Sequence, residues 1–178
     1  MEIAIIDIET TGFSVEYDFI VEVGIVLLDL ENGNVRPLIN FVTNENGITE
    51  DKLRKSWVIN NTSLTVEEVR YGVNLKYITK AIQHITNTYP ITAFNRKFDI
   101  GFLEARRINC PNLYADPMLE LTNIIKLPGK NGNYKWPSAQ EAYKYFFPND
   151  GYIEIHRALD DAMHEAKIIY ELNKLKNK

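Results

Sequence analysis

Three strand-like runs at the beginning of the chain constrain its fold more than any other feature. Residues 3–8 are a short β-branched apolar run, and residues 19–30 and 35–42 are two longer runs of similar character. Runs of this length, bounded by turn residues, are typical of strands. The Asn32-Gly33 pair between the second and third runs favours a tight hairpin turn. We therefore expect a buried first strand followed by an antiparallel hairpin.

The remainder of the chain is predicted to contain mostly helices, with short strands between them. Helices are predicted at residues 50–55, 74–86, 98–108, 118–125, 139–147 and 158–175, and strands at residues 89–94 and 113–115. Residues 43–71 are otherwise polar and irregular, and residues 128–134 have the composition of a loop. This order indicates an α/β protein with a mixed sheet. No composition shift divides residues 1–178, so we expect a single domain.

Charge and cysteine content limit the classes of function. The formal net charge is −4, which argues against broad electrostatic adhesion to nucleic acid or to an acidic membrane. The lone Cys110 excludes an internal disulfide framework and suits a reducing compartment. The sequence has no signal-peptide pattern and no apolar stretch of about 18 residues. We therefore expect a cytoplasmic protein that does not associate with membranes.

Two acidic residues interrupt the end of the first predicted strand. Asp7 and Glu9 are two positions apart, so their side chains project from the same face of the strand. Paired carboxylates beside a hydrophobic strand are costly unless they meet a cation, and oxygen ligands favour Mg²⁺ or Mn²⁺. The alternative is a strand end that reaches solvent, where these acids would need no partner.

Further acidic residues occur near the starts of two predicted helices. Asp99 lies near the beginning of the helix at residues 98–108, where an acid is also favourable without any function. At about 100° per residue, Asp161 lies at the edge of the apolar face of the last helix, and Asp160 lies on its polar side. Asp161 is therefore the candidate ligand and Asp160 the solvated residue. His156 is expected to precede this helix on a loop.

Three segments together resemble the motifs of the DEDD exonuclease superfamily, in its histidine-containing (DEDDh) branch. They are DIETTG at residues 7–12, NRKFDIGFL at residues 95–103 and HRALDD at residues 156–161. Their order and separation are similar to those of the proofreading exonuclease of bacterial replicative DNA polymerases and its phage or prophage relatives. The resemblance implies a ribonuclease H-like exonuclease fold, with a mixed five-stranded sheet flanked by helices. One departure is Phe94, where relatives often carry His.

The resemblance implies a metal-dependent 3′→5′ exonuclease that releases nucleoside 5′-monophosphates from the 3′ end of single-stranded or frayed DNA. The implied catalytic site consists of two divalent ions, Mg²⁺ or Mn²⁺, held by Asp7, Glu9, Asp99 and Asp161, with His156 as general base. The implied substrate contacts are Thr10, Thr11, Gly12, Phe13, Asn95 and Phe98. Core packing is the alternative role for the two phenylalanines.

Two other functions stay open at this stage. One is a 3′→5′ exoribonuclease that acts on short RNA or RNA 3′ ends, and the other is a non-catalytic nucleic-acid-binding subunit of a polymerase. A nucleic-acid 3′ end is the expected partner, with DNA favoured over RNA. A DNA polymerase subunit is a second partner that the resemblance leaves open.

Several residues outside the motif positions receive structural interpretations. His84 and His164 are expected at the surface. Arg96, Lys97, Arg106 and Arg107 are interpreted either as phosphate contacts or as a solvated helix face. Packing between helices is the expected role of most of the late aromatic residues Tyr134, Trp136, Tyr143 and Tyr145.

Overall fold

The computed structural model describes residues 1–177, which form five strands and eight α-helices. The strands are β1 (Glu2–Thr10), β2 (Ile20–Asp29), β3 (Val35–Asn44), β4 (Val73–Asn74) and β5 (Ile91–Thr92). The helices are α1 (Glu50–Lys55), α2 (Trp57–Asn61), α3 (Val66–Tyr71), α4 (Leu75–Thr88), α5 (Arg96–Ala105), α6 (Pro117–Ile125), α7 (Ala139–Phe146) and α8 (Ala158–Lys176). No helix in this part of the chain is long and apolar enough to cross a membrane.

The strands form a mixed sheet in the order β4-β3-β2-β1-β5. β2 pairs antiparallel with β1 and β3, whereas β5 and β4 add in parallel at the two edges. The predicted hairpin is confirmed, and Gly33 in its turn has a φ of 76°, which favours glycine. The strand predicted at residues 113–115 is wrong, because Leu113 makes an isolated bridge to Ile91. The fifth strand is instead β4, which pairs with the end of β3.

β1 is buried on both faces, and its alternation decides where its acidic residues lie. The even-numbered side chains from Ala4 to Ile8 pack into a core formed with α4 and α5. The odd-numbered side chains, beginning with Ile3, pack against α8. Because successive side chains alternate between the faces of a strand, Asp7 and Glu9 lie on the α8 side of the sheet.

α8 begins close to β2 because Gly24 has no side chain there. A Cβ atom at Gly24 would lie 2.3 Å from the backbone carbonyl of Ala158, the first residue of α8. Gly24 is also the residue of β2 that pairs with Asp7 of β1. The glycine that interrupts the apolar run of β2 therefore allows the first turn of α8 to lie beside the acidic end of β1.

Residues 43–71 are more regular than their polar composition indicates. The helix predicted at residues 50–55 is confirmed as α1, but α2 and α3 are additional helices that the sequence did not predict. Their buried side chains, including Val58 and Val69, pack with Leu64 against Val21 of β2. Each of these helices has at most six residues, which is too short to display a helical hydrophobic period.

The late aromatic residues pack less than expected. Tyr143 is buried in the core between α7 and α8. Tyr134, Trp136 and Tyr145 are 48%, 64% and 48% exposed, so the packing prediction is wrong for these three residues. Trp136 and Tyr134 lie outside the helices, in the segment between α6 and α7.

Candidate active site

Asp7 and Glu9 lie near the C-terminal end of β1, on the face that α8 covers. Asp7 Oδ2 is buried and has no hydrogen-bond partner among residues 1–177. Glu9 pairs across the sheet with Glu22 of β2, a buried carboxylate that forms an ion pair with Arg157 at 3.0 Å. A buried carboxylate without a partner is unstable. The end of β1 therefore favours a compensating positive charge next to Asp7.

Asp99 reaches the same place from the first turn of α5. Its side chain is nearly fully buried, and Oδ1 accepts a hydrogen bond from the backbone N–H of Ile8 at 3.1 Å. Ile8 is the residue between the two β1 carboxylates, so this bond fixes α5 against the acidic end of the strand. Burial raises the pKa of Asp99 to about 8, although the Ile8 N–H lowers it.

Asp161 and Asp160 occupy different environments in the first turn of α8. Asp161 is 2% exposed, its Oδ1 accepts a hydrogen bond from the Tyr152 hydroxyl at 2.8 Å, and its Oδ2 accepts one from the backbone N–H of Arg157 at 3.1 Å. The Asp160 side chain is 40% exposed and lies 3.3 Å from His164 Nδ1. The exposure predicted from helix geometry is confirmed for both residues.

His156 precedes α8, as predicted, in a backbone conformation that is uncommon for residues other than glycine. Its φ is 54°, in the left-handed region. Its ring meets Trp57 edge-on at a centroid distance of 4.8 Å, and Nδ1 lies 4.0 Å from Glu154 Oε1. One ligand atom from each of Glu9, His156 and Asp161 lies within 4.8 Å of the other two. This spacing is compatible with ligation of one metal ion.

The mutual repulsion of the carboxylates favours a cation. Burial, followed by the charge of Asp161, raises the pKa of Glu9 to about 8. Burial, followed by the charge of Glu165, raises the pKa of Asp7 well above its usual range. Burial also raises the pKa of Asp161, although the Tyr152 hydroxyl lowers it. These carboxylate oxygens, including the unpartnered Asp7 Oδ2, fit a divalent metal ion.

A cavity of about 470 Å³ contains the acidic cluster in its wall. Four of the residues predicted to contact substrate also line it, namely Thr10, Phe13, Asn95 and Phe98. Phe13 is 89% exposed and meets Phe98 edge-on at 6.2 Å. Phe98 packs in turn against the buried Phe102 at 5.0 Å. Phe13 is therefore not a core residue, whereas Phe98 lies between the core and the cavity.

Thr11 and Gly12 are not among the residues that line this cavity. The Thr11 hydroxyl donates to Asp18 Oδ1 at 3.1 Å and accepts from the backbone N–H of Phe19 at 3.0 Å. A Cβ atom at Gly12 would lie 2.5 Å from Asp18 Oδ2. The close approach at Gly12 is thus to Asp18, and both residues stabilise the loop that carries Phe13.

Four residues of the site were missed by sequence reasoning. Glu165 lines the cavity from α8, and its spacing of four residues from Asp161 is a helical signal that could have identified it. The other three are Tyr152, which donates a hydrogen bond to Asp161, and Trp57 and Glu154, which lie beside His156. No local sequence pattern in their segments indicates these contacts.

The two remaining histidines differ in their environments. His84 is exposed, as expected. His164 is not a surface residue, because it stacks on Tyr152 at a centroid distance of 3.7 Å and its side chain is only 19% exposed. Its ring therefore supports Tyr152, the residue that donates a hydrogen bond to Asp161.

The basic residues around the second motif divide into two groups. Arg106 forms an ion pair with Glu45 at 2.9 Å, and Arg96 donates a hydrogen bond to the backbone carbonyl of Tyr114. Both guanidinium groups therefore have structural partners. Lys97 is exposed on the first turn of α5, in agreement with a solvated helix face. Arg107 is also exposed, but it lies beyond the end of α5 with a φ of 61°, so the helix-face interpretation is wrong for this residue.

Comparisons with known proteins find a matching family model and two related proteins. A family model described as "Exonuclease" (RNase_T) matches residues 4–169. PolC-type DNA polymerase III from Clostridium perfringens is 25% identical over 98% of this chain, and that from Latilactobacillus sakei is 27% identical over 97%. The chain spans 11% of the length of each of these relatives.

A solved structure supports the expected ribonuclease H-like exonuclease fold. The nuclease domain of 3′hExo, described as a DEDDh family member and bound to rAMP, superimposes with a TM-score of 0.72 at 17% identity. The superposition covers 97% of this chain and 92% of that one. The match of the family model over nearly the whole chain shows that the chain belongs to the exonuclease (RNase_T) family.

Proposed function

We propose that this protein is a 3′→5′ exonuclease that hydrolyses the terminal phosphodiester bond of single-stranded or frayed DNA and releases nucleoside 5′-monophosphates. The observation that carries the proposal is the convergence of Asp7, Glu9, Asp99, Asp161 and His156 on one cavity. These five residues come from β1, α5, the loop before α8 and the first turn of α8. We further propose that residues 1–178 constitute one exonuclease domain.

We propose that the four carboxylates hold two divalent ions, Mg²⁺ or Mn²⁺. The fit of the residues supports this assignment, because Asp7 Oδ2 is buried without a hydrogen-bond partner among the described residues. Burial, together with neighbouring acidic groups, raises the pKa values of Glu9 and Asp99 to about 8. When bound, such ions stabilise charge on the attacking and departing oxygens at phosphorus.

We assign His156 as the base that takes the proton of the attacking water. Glu154 Oε1 lies 4.0 Å from Nδ1 of this ring. A neutral imidazole has one nitrogen lone pair with which to accept the proton. Trp57 limits the movement of the ring from one side. The adjacent segment is fixed by Arg157, whose side chain binds Glu22 and whose N–H binds Asp161.

Phe13 and Phe98 are the proposed contacts for the terminal bases. Phe13 is almost fully exposed at the rim of the cavity, and Phe98 supports it from the core side. Stacking of a base on an aromatic ring contributes about 1–3 kcal/mol in single-strand binders. Thr10 and Asn95 complete the polar part of the proposed nucleotide-binding wall, and Thr11 and Gly12 act on it through the loop that carries Phe13.

An exoribonuclease is the second candidate function. The solved relative 3′hExo was bound to rAMP, a ribonucleotide, which favours this alternative. The two sequence relatives are DNA polymerases, which favours DNA and makes a DNA polymerase a candidate partner. A non-catalytic accessory subunit is the weaker alternative, because such a protein would not need to retain several mutually repelling buried acids.

Labelled oligonucleotides of matched DNA and RNA sequence test the proposal. We expect 5′-labelled DNA to shorten one nucleotide at a time with Mg²⁺ or Mn²⁺, 3′-labelled DNA to release labelled mononucleotide, and EDTA to stop both reactions. Asp161→Asn should abolish activity, whereas the matched control Asp160→Asn should retain it. Faster degradation of RNA would favour the exoribonuclease, and full activity of Asp161→Asn would refute the site.

A further inference from the structure

Glu165 is a buried acidic residue that the proposed mechanism does not use. It lies on α8, four residues after Asp161, so the two side chains share one helix face. It is 4% exposed and nevertheless lines the same cavity as Asp7, Asp99 and Asp161. A glutamate is rarely this buried unless it is paired. Its position therefore requires an explanation.

The contacts of Glu165 use part of its carboxylate. Oε2 accepts a hydrogen bond from the backbone N–H of Phe94 at 3.2 Å. No Lys, Arg or His side chain among residues 1–177 forms an ion pair with Glu165. The hydrogen bond therefore holds the Glu165 side chain to Phe94, which lies in the segment between β5 and α5. Oε1 has no cationic partner among the described residues.

Acidic groups, rather than basic ones, surround Glu165. The carboxylates of Glu9, Asp99, Asp161 and Asp7 line the same cavity as Glu165. Asp7 is also the residue whose Oδ2 is buried without a hydrogen-bond partner among the described residues. Asp7 and Glu165 therefore line one cavity in which a positive charge would stabilise both carboxylates.

We propose that Glu165 is a fifth carboxylate of the divalent-cation site and binds, through Oε1, the cation that Asp7 holds. The Phe94 N–H positions the side chain by holding Oε2. This inference rests on the proposed function, because it concerns the metal site of that exonuclease. A purely structural Glu165 would need only an acceptor for the Phe94 N–H, and a neutral glutamine supplies that acceptor equally well.

Glu165→Gln therefore separates a cation ligand from a structural residue. Mn²⁺ binding is measured by isothermal titration calorimetry at pH 8 on the full chain, without nucleic acid. We expect the affinity of one Mn²⁺ to fall at least about tenfold in Glu165→Gln, because the ligand loses its negative charge. The control Asp160→Asn, on the exposed side of α8, should change the affinity less than about twofold. An affinity of Glu165→Gln within twofold of wild type would overturn the inference.

A second variant and the wild-type protein complete the test. Glu165→Asp retains the charge but shortens the side chain by one methylene. We expect its Mn²⁺ affinity to fall at least about threefold relative to wild type, a smaller loss than in Glu165→Gln. If Glu165→Gln fails to fold by circular dichroism, an unchanged affinity of Glu165→Asp would overturn the inference. Failure of the proposed function has a different signature, namely a wild-type protein that binds no Mn²⁺ or binds it without degrading nucleic acid.

Discussion

Removal of one carboxylate from the metal-free site should stabilise the fold and abolish catalysis. Ligand atoms of Glu9 and Asp161 lie within 4.8 Å of each other. At an effective dielectric constant of about 20, two unit charges at this distance repel by about 3 kcal/mol. Glu9→Gln removes this repulsion while preserving side-chain volume. At roughly 2–4 °C per kcal/mol for a domain of this size, its melting temperature should rise by about 6–12 °C.

The effect must depend on pH, and the sign follows from the raised pKa of Glu9. The pKa of Glu9 rises from an ordinary value of 4.5 to about 8 in the folded protein. Folded protein therefore binds more protons than unfolded protein between these values, and wild-type stability decreases as pH rises through this window. The extra stability of Glu9→Gln relative to wild type should be fully present above pH 8 and absent below about pH 4.5.

Differential scanning fluorimetry in EDTA at pH 5 and pH 9 measures this difference. Glu9→Gln should melt well above wild type at pH 9 and close to it at pH 5. Asp160→Asn is the matched control and should melt within about 1–2 °C of wild type, because surface changes are usually worth less than about 0.5 kcal/mol. Mn²⁺ should then raise the wild-type melting temperature more than that of Glu9→Gln. A lower melting temperature for Glu9→Gln at pH 9 in EDTA would refute the repulsion argument.

Three further predictions concern residues around the metal ligands. His156→Ala should lower kcat about 10²–10⁴-fold, which is the usual contribution of a general base. Its Mn²⁺ affinity, measured by calorimetry, should stay within about fivefold of wild type. An unchanged kcat would show that His156 is not the base. Tyr152→Phe removes the hydroxyl that donates to Asp161 and should lower the free energy of unfolding in urea and EDTA at pH 9 by about 1.5 kcal/mol. Phe13→Ala should raise the KM for single-stranded DNA at least about fivefold, with an unchanged melting temperature because the ring is 89% exposed.

Local periodicity was enough to locate most of the elements and the main acidic residues. A strand period of two places Asp7 and Glu9 on one face, and both lie on the α8 side of the sheet. A helical period of 3.6 distinguishes Asp161 from Asp160, and their exposures of 2% and 40% agree. These arguments succeed because they depend on the geometry of one element at a time. The same helical period also predicts that Glu165 lies on the same face of α8 as Asp161.

Other features depend on residues that are distant in the chain. β4 is only two residues long and exists because it pairs with the end of β3, about 30 residues earlier. Trp57 meets His156 across about 100 residues, and no local pattern indicates such a contact. α2 and α3 are too short to display a period, so their burial against β2 becomes apparent only in the assembled fold.

The sequence by itself therefore determined the α/β class, the first hairpin and the acidic residues of the three motifs. The tertiary structure decided which further groups surround them. Gly24 allows α8 to approach the sheet, and Glu165 of α8 lines the same cavity as Asp7 of β1. The Tyr152 hydroxyl reaches Asp161 from the loop before α8. The physical reason is that periodicity reports the orientation of a side chain within one element. The charge and hydrogen bonds of a site depend on how separate elements pack together.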